Sequence, residues 1–233
     1  MAGGGIKVLS AGAVKRGVSQ IAVEFERATG TRVTVDFATG PELRKRIAAG
    51  EAADVIVAPP AIMDEFAKQG KLVADSRAFV GRSHMGVVIH VDAPIPGLGD
   101  TAAFKKLLLG ATTVVYNRAS SGVYAAKLMD KLGLAEALRS RIVVVDTGAA
   151  VMECVAEHPR AAVGLAQISE VMVLVDRGCS VKLAAPLPAE IQNVTSYDAA
   201  ADLSSAQQDA ARALVRALTS PTAKKIFAAT GIS

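Results

Sequence analysis

Thr112-Thr113-Val114-Val115-Tyr116-Asn117-Arg118-Ala119-Ser120-Ser121-Gly122-Val123-Tyr124 is the stretch on which the reading of this chain turns. The apolar, β-branched run over residues 112–116 predicts a strand, and the amphipathic pattern over residues 123–132 predicts a helix. Small residues join the two. A strand that ends in such a turn and continues as a helix leaves backbone N–H groups unbonded at the helix start. Ser120 and Ser121 add hydroxyls and Arg118 adds a guanidinium, so the turn carries what a small anion needs. It carries no obvious catalyst.

Working outward, the same rhythm recurs on both sides. Residues 6–9 read as strand, 18–29 as helix, 32–37 as strand, 41–49 as helix and 55–58 as strand. In the first helix Val18, Ile21, Ala22, Phe25 and Ala28 share one face, and Gly30 stops it. Alternation of this kind predicts parallel βαβ units with helices on both faces. After residues 61–70 the pattern changes to one long strand, 79–91, interrupted by small and polar residues, a suitable place for a crossover. A Pro/Gly loop at 92–99 leads to a helix at 101–109. Past the opening stretch come a strand at 142–145, a helix at 149–158 and a strand at 162–165. Residues 182–186 and a second extended stretch, 188–197, precede helices at 204–219 and 221–230. The expected fold class is α/β, as two Rossmann-like lobes joined by two crossover strands that act as a hinge. Lobe I is expected from residues 1–81 and 192–233, lobe II from 82–191.

Bulk composition narrows the function classes. At 233 residues, 51% hydrophobic and without Trp, the core must be built from Ala, Val, Leu and Ile. The net charge of +4 comes from scattered basic residues without interleaved aromatics, which argues against nucleic acid and suits the steering of a small anion. Cys154 and Cys179 read as two buried free thiols, and His84, His90 and His158 form no ligand motif, so no metal is expected. No run is long enough for membrane insertion, and the start at Met1 shows no basic and apolar leader pattern. The expected location is cytoplasmic as the sequence stands, and periplasmic if a signal peptide has been removed.

Ligands of open α/β sheets collect at the carboxyl ends of strands, so four turns matter. These are Gly12, Ala13, Lys15 and Arg16 after the first strand; Thr39 and Gly40 after the second; Arg118, Ser120, Ser121 and Gly122; and residues 164–170, with Gln167 and Glu170. Each has a plainer reading. Gly12, Gly40 and Gly122 also suit tight turns, Lys15 and Arg16 suit solvated surface, and Thr39 and Ser120 suit helix caps. Arg118 suits a bridge to Glu170 or another carboxylate. The joint pattern of four donor-rich turns favours a ligand. No nucleophile elbow, dinucleotide fingerprint or phosphate-loop lysine is present, so no cofactor is expected and any chemistry is proton transfer. Candidate catalytic groups are then Lys15, Glu170 and Tyr124, with His84 also able to act as a base.

Residues 8–13, 25–30, 37–43, 47–55, 121–125 and 220–227 together resemble the molybdate-binding family of periplasmic solute-binding proteins, in order and over nearly the whole chain. The resemblance implies the type II periplasmic-binding fold, an oxyanion held by hydroxyls and backbone N–H groups as two lobes close, and an ABC permease as partner if the protein is exported. It places the family's first-turn serine at Gly12, its second-turn serine at Gly40 beside Thr39, and its fourth-turn tyrosine at Gln167. Two hydroxyls are replaced, while Lys15, Arg16 and Arg118 add charges that suit a di- or tricarboxylate. A related branch resembles aconitate isomerase, which implies a cofactor-free shift of a double bond by allylic proton transfer.

Overall fold

Aliphatic runs become strands where both of their faces can be covered, and this chain covers them with Ala- and Val-rich helices. The computed structural model describes residues 5–158 and 161–233. The start of the chain, residues 1–4, on which the reading of a leader partly rested, lies outside the described residues. In chain order the elements are β1 (Ile6–Ala11), α1 (Lys15–Thr29), β2 (Val33–Ala38), α2 (Gly40–Ala48), β3 (Val55–Ala58), α3 (Pro60–Lys68) and β4 (Ala78–His90). Then follow α4 (Thr101–Gly110), β5 (Thr113–Asn117), α5 (Ser120–Lys131), α6 (Ala135–Leu138), β6 (Ile142–Val145) and α7 (Gly148–Ala156). The rest are β7 (Ala162–Gln167), α8 (Ile168–Asp176), β8 (Val181–Pro186), β9 (Val194–Ala201), α9 (Gln208–Leu218) and α10 (Pro221–Ala228). The fold is α/β.

Two units divide the chain: one comprises residues 1–82 and 195–233, the other residues 83–194. The chain passes from one to the other within β4 and again at the start of β9.

In the first unit β1 pairs in parallel with β2 and β3, and β9 runs antiparallel beside β3. Leu9, Val55, Ile56 and Val57 are wholly buried, and Phe25, Leu43, Met63, Phe66, Leu214 and Phe227 pack on them. Gly30 ends α1 in the left-handed region, φ 72°, as its position predicts. α1 starts at Lys15, three residues ahead of its apolar face, after a 3-10 turn at Gly12–Val14.

In the second unit β5 lies between parallel neighbours β6 and β7, while β4 runs antiparallel to both β7 and β8. The sheets are therefore mixed, not wholly parallel. Strand alternation sorts the second core into two faces. Met85, Val87, Val114, Tyr116, Val163 and Leu165 join one cluster with Phe104, Leu108 and Leu128 of the helices. Val88, Val115 and Ala166 join the other with Val151, Met152, Val155 and Val171.

Three segments differ from expectation. Residues 164–167 are strand, because Gln167 pairs with Met85, and α8 follows at once, so the fourth turn contains no loop. Residues 188–197 are not one extended run: Ala189–Ile191 is a 3-10 turn and the strand begins at Val194. α9 begins at Gln208, four residues late, because Asp202 Oδ1 accepts from both the backbone N–H and the hydroxyl of Ser204 and holds a turn there. Both cysteines are free thiols and half-buried, where buried ones were expected.

Candidate functional site

Parallel registers fix which turns share an edge. In the first unit Ala11 stands beside Ala38, and Ser10 beside Val57, so the turns after β1, β2 and β3 lie along one carboxyl edge. That edge brings Gly12, Ala13, Lys15, Arg16, Thr39 and Gly40 together. Lys15, at the start of α1, holds its ammonium 5.3 Å from the centre of the Phe37 ring. Thr39 sits at the N-cap of α2 in extended conformation, yet its side chain bonds no N–H of that helix. The Ser10 hydroxyl is buried and turned to Ala11 O, 3.2 Å away. In the same unit the Arg77 guanidinium bridges Asp198 and Asp64 at 2.7 and 2.6 Å.

In the second unit Asn117 stands beside Val145, and β7 ends at Gln167 on the same edge. Arg118, Ser120, Ser121, Gly122, Gln167 and Glu170 are therefore edge neighbours. Asn117 organises the turn: its Oδ1, in a residue only 1% exposed, accepts from the Ala119 N–H at 3.0 Å and from the Ser121 hydroxyl at 3.2 Å. Ser121 thus serves the turn and is buried, while Ser120, the first residue of α5, stays at the surface. Gly122 is required by close approach, not by an unusual φ. A β-carbon there would stand 1.5 Å from the Asn117 carbonyl oxygen.

Arg118 meets Asp146, Nε to Oδ1, at 2.9 Å, with the two side chains 67% and 86% exposed. Its carboxylate partner is Asp146, not Glu170. Tyr116 belongs to the core, and the Tyr124 phenol donates to Ile191 O at 2.9 Å, with burial raising its pKa.

Glu170 occupies the third position of α8, one turn after Gln167. Part of the residue reaches the surface, but its Oε2 is buried and has no hydrogen-bond partner among the described residues. Burial pushes its carboxyl up to about 7, against a smaller opposing pull from the Gln167 backbone N–H. The carboxyl lies on the α-carbon of Gly148, the first residue of α7, where a β-carbon would stand 2.2 Å from Oε2. The hydroxyls of Ser83 and of Ser169, the residue before Glu170, are both buried and 3.2 Å apart.

Asn117, Gly148 and the Ser83–Ser169 pair were not among the sequence candidates. Only Asn117 left a local signal, an Asx residue between a strand and a helix start. The structure brings the expected residues to one carboxyl edge in each unit, while Tyr124 lies one turn into α5 and faces the wall.

The helices at these edges differ in how they begin. α1, α2, α5 and α8 start without a side-chain cap, as do α3, α6 and α9. By contrast Asp100, Thr147 and Ser220 cap α4, α7 and α10.

Among known proteins, aconitate isomerase of a Pseudomonas species is 28% identical over 240 residues, which cover 97% of this chain and 87% of the relative. The solved periplasmic molybdate-binding protein of Azotobacter vinelandii superposes with a TM-score of 0.78 at 20% identity, covering 98% of each chain. The sulfate-binding protein SubI of Mycobacterium tuberculosis does so with a TM-score of 0.77 at 17% identity, covering 99% of this chain and 86% of its own. These likenesses show the type II periplasmic-binding fold. A family described as bacterial extracellular solute-binding protein matches residues 6–233, and this chain belongs to that family.

Proposed function

We propose that the protein binds a small anion, a carboxylate-bearing one in preference to a bare oxyanion, through the turns at the carboxyl edges of its units. The observation that carries this reading is that α2, α5 and α8 start without a side-chain cap among the very residues that line those edges. Free N–H groups at a helix start favour negative charge. Gly12, Ala13, Thr39, Gly40, Ser120, Ser121, Gly122 and Gln167 supply backbone and neutral contacts, while Lys15, Arg16 and Arg118 supply the cations that suit carboxylates. Named relatives that bind molybdate and sulfate support an anion as ligand, and an ABC permease is the partner in this reading.

The test is a thermal-shift series with trans-aconitate, citrate, sulfate, molybdate and tungstate. A bound anion at about one hundred times its Kd stabilises by about 2.7 kcal/mol and raises Tm measurably. If none of the five shifts Tm, the anion reading fails.

One observation favours a second reading, isomerisation of a tricarboxylate. Glu170 is a carboxyl that exchanges its proton near neutrality, as a cofactor-free allylic proton transfer requires. In that step the base takes a proton from a methylene carbon, the double bond moves along, and a proton is returned at the far carbon. Nothing is oxidised or reduced. The 28% identity to aconitate isomerase supports it, with Lys15 and Tyr124 as the other candidate groups. Following trans-aconitate by proton NMR in deuterated buffer decides it: no new isomer and no deuterium uptake at high protein concentration removes the isomerase reading and leaves binding intact.

A further inference from the structure

Glu170 is placed unlike a surface carboxylate. It stands at the third position of α8, its carboxyl rests on the first residue of α7, and its Oε2 is buried without a partner. Any residue but glycine at position 148 would occupy the carboxyl's space. Two helix starts thus converge on one acidic group.

The surrounding charges do not explain its state. On α8 the next acid is Asp176, at the far end; α7 carries Glu153 and β7 carries none. Lys182 of β8 gives its ammonium to Val91 O, Asp146 ahead of α7 is taken by Arg118, and His84 lies on β4. None of these shifts the Glu170 equilibrium; burial alone holds the proton on, to about pH 7. A neutral acid at this place offers one O–H donor.

We infer that Glu170 binds the ligand as a neutral acid, donating its proton in a hydrogen bond to the anion, so that anion binding and proton uptake by the protein are coupled. This rests on the anion reading above and assigns a regulation to that site. Linkage gives the sign: an anion that binds only the protonated form loses about tenfold in affinity for each pH unit above the acid's own pKa.

Isothermal titration with trans-aconitate and with sulfate tests this, at about pH 6 and about pH 8.5, where both anions are fully ionised. Two buffers of different ionisation enthalpy report the protons taken up. The expected result is near-complete uptake of one proton per anion at the higher pH, with Kd raised about tenfold or more over its value at the lower. Glu170→Gln, which keeps a donor and cannot ionise, binds with an affinity that no longer changes with pH and takes up no proton. The inference is overturned if the wild-type protein binds either anion equally at both pH values without proton uptake, or if Glu170→Gln keeps the wild-type pH slope. If neither anion binds at either pH, the anion reading falls first and this inference with it.

Discussion

Replacing Glu170 by Gln in the unliganded protein measures the cost of burying that carboxyl, independently of any ligand. The group moves from an ordinary 4.5 to about 7 in the folded chain. Between those values the folded state keeps a proton that the unfolded chain has released. Stability is therefore full below about pH 4.5, falls as pH rises, and is fully lost from this group above about pH 7. At about 1.4 kcal/mol per unit, the whole effect is about 3 kcal/mol, of which about 2 to 3 falls between pH 5 and pH 8. Urea denaturation at those two pH values, read by circular dichroism, gives the unfolding free energy of each protein. Gln cannot titrate, so the advantage of the variant over the wild type should grow by about 2 to 3 kcal/mol from pH 5 to pH 8. Glu51, held at about 2 by Arg46 and Lys7, titrates well below this window and cancels in the difference. Parallel pH profiles for the two proteins would refute the reasoning, because a carboxyl buried as the geometry shows cannot be ionised without cost.

Gly122→Ala forces its β-carbon into the Asn117 carbonyl, so the β5–α5 turn must open; a loss of about 2 to 4 kcal/mol in a denaturant series is expected, and a neutral result would contradict the approach seen there. Gly17→Ala reverses the usual rule, in which Ala in a helix is better than Gly by about 1 kcal/mol: the new methyl would stand 2.2 Å from the Phe227 ring, so Tm should fall, and a rise would show that the ring yields freely. Arg118→Ala should change stability by less than about 1 kcal/mol, since its bridge to Asp146 is exposed, yet weaken anion binding about ten- to a hundredfold by titration calorimetry; unchanged affinity would move the site away from this turn.

The strand-turn-helix rhythm around residues 112–132 was legible because it is local. Side chains alternate along β5 and repeat every three to four residues along α5, and both patterns can be read without knowing any partner. The same holds for Gly30 at the end of α1, for the Pro at the start of α2, and for the α/β class that the alternation implies. The fourth turn was harder. Its strand runs on to Gln167 through pairing with Met85, a residue far away in sequence, so nothing local marked where β7 stops and α8 starts.

What only the tertiary structure decided are the relations between segments. That Arg118 meets Asp146 depends on β5 and β6 lying side by side, and that Gly122 must be glycine depends on α5 folding back on the Asn117 carbonyl. Glu170 in sequence is one acid among 22; it becomes a proton-holding group because α7 and α8 pack together and bury its Oε2 without a hydrogen-bond partner among the described residues. Periodicity is written into neighbouring residues, so the chain alone determined most of its elements and its class. Burial and pairing arise from which faces meet, and these set the chemistry of the edge.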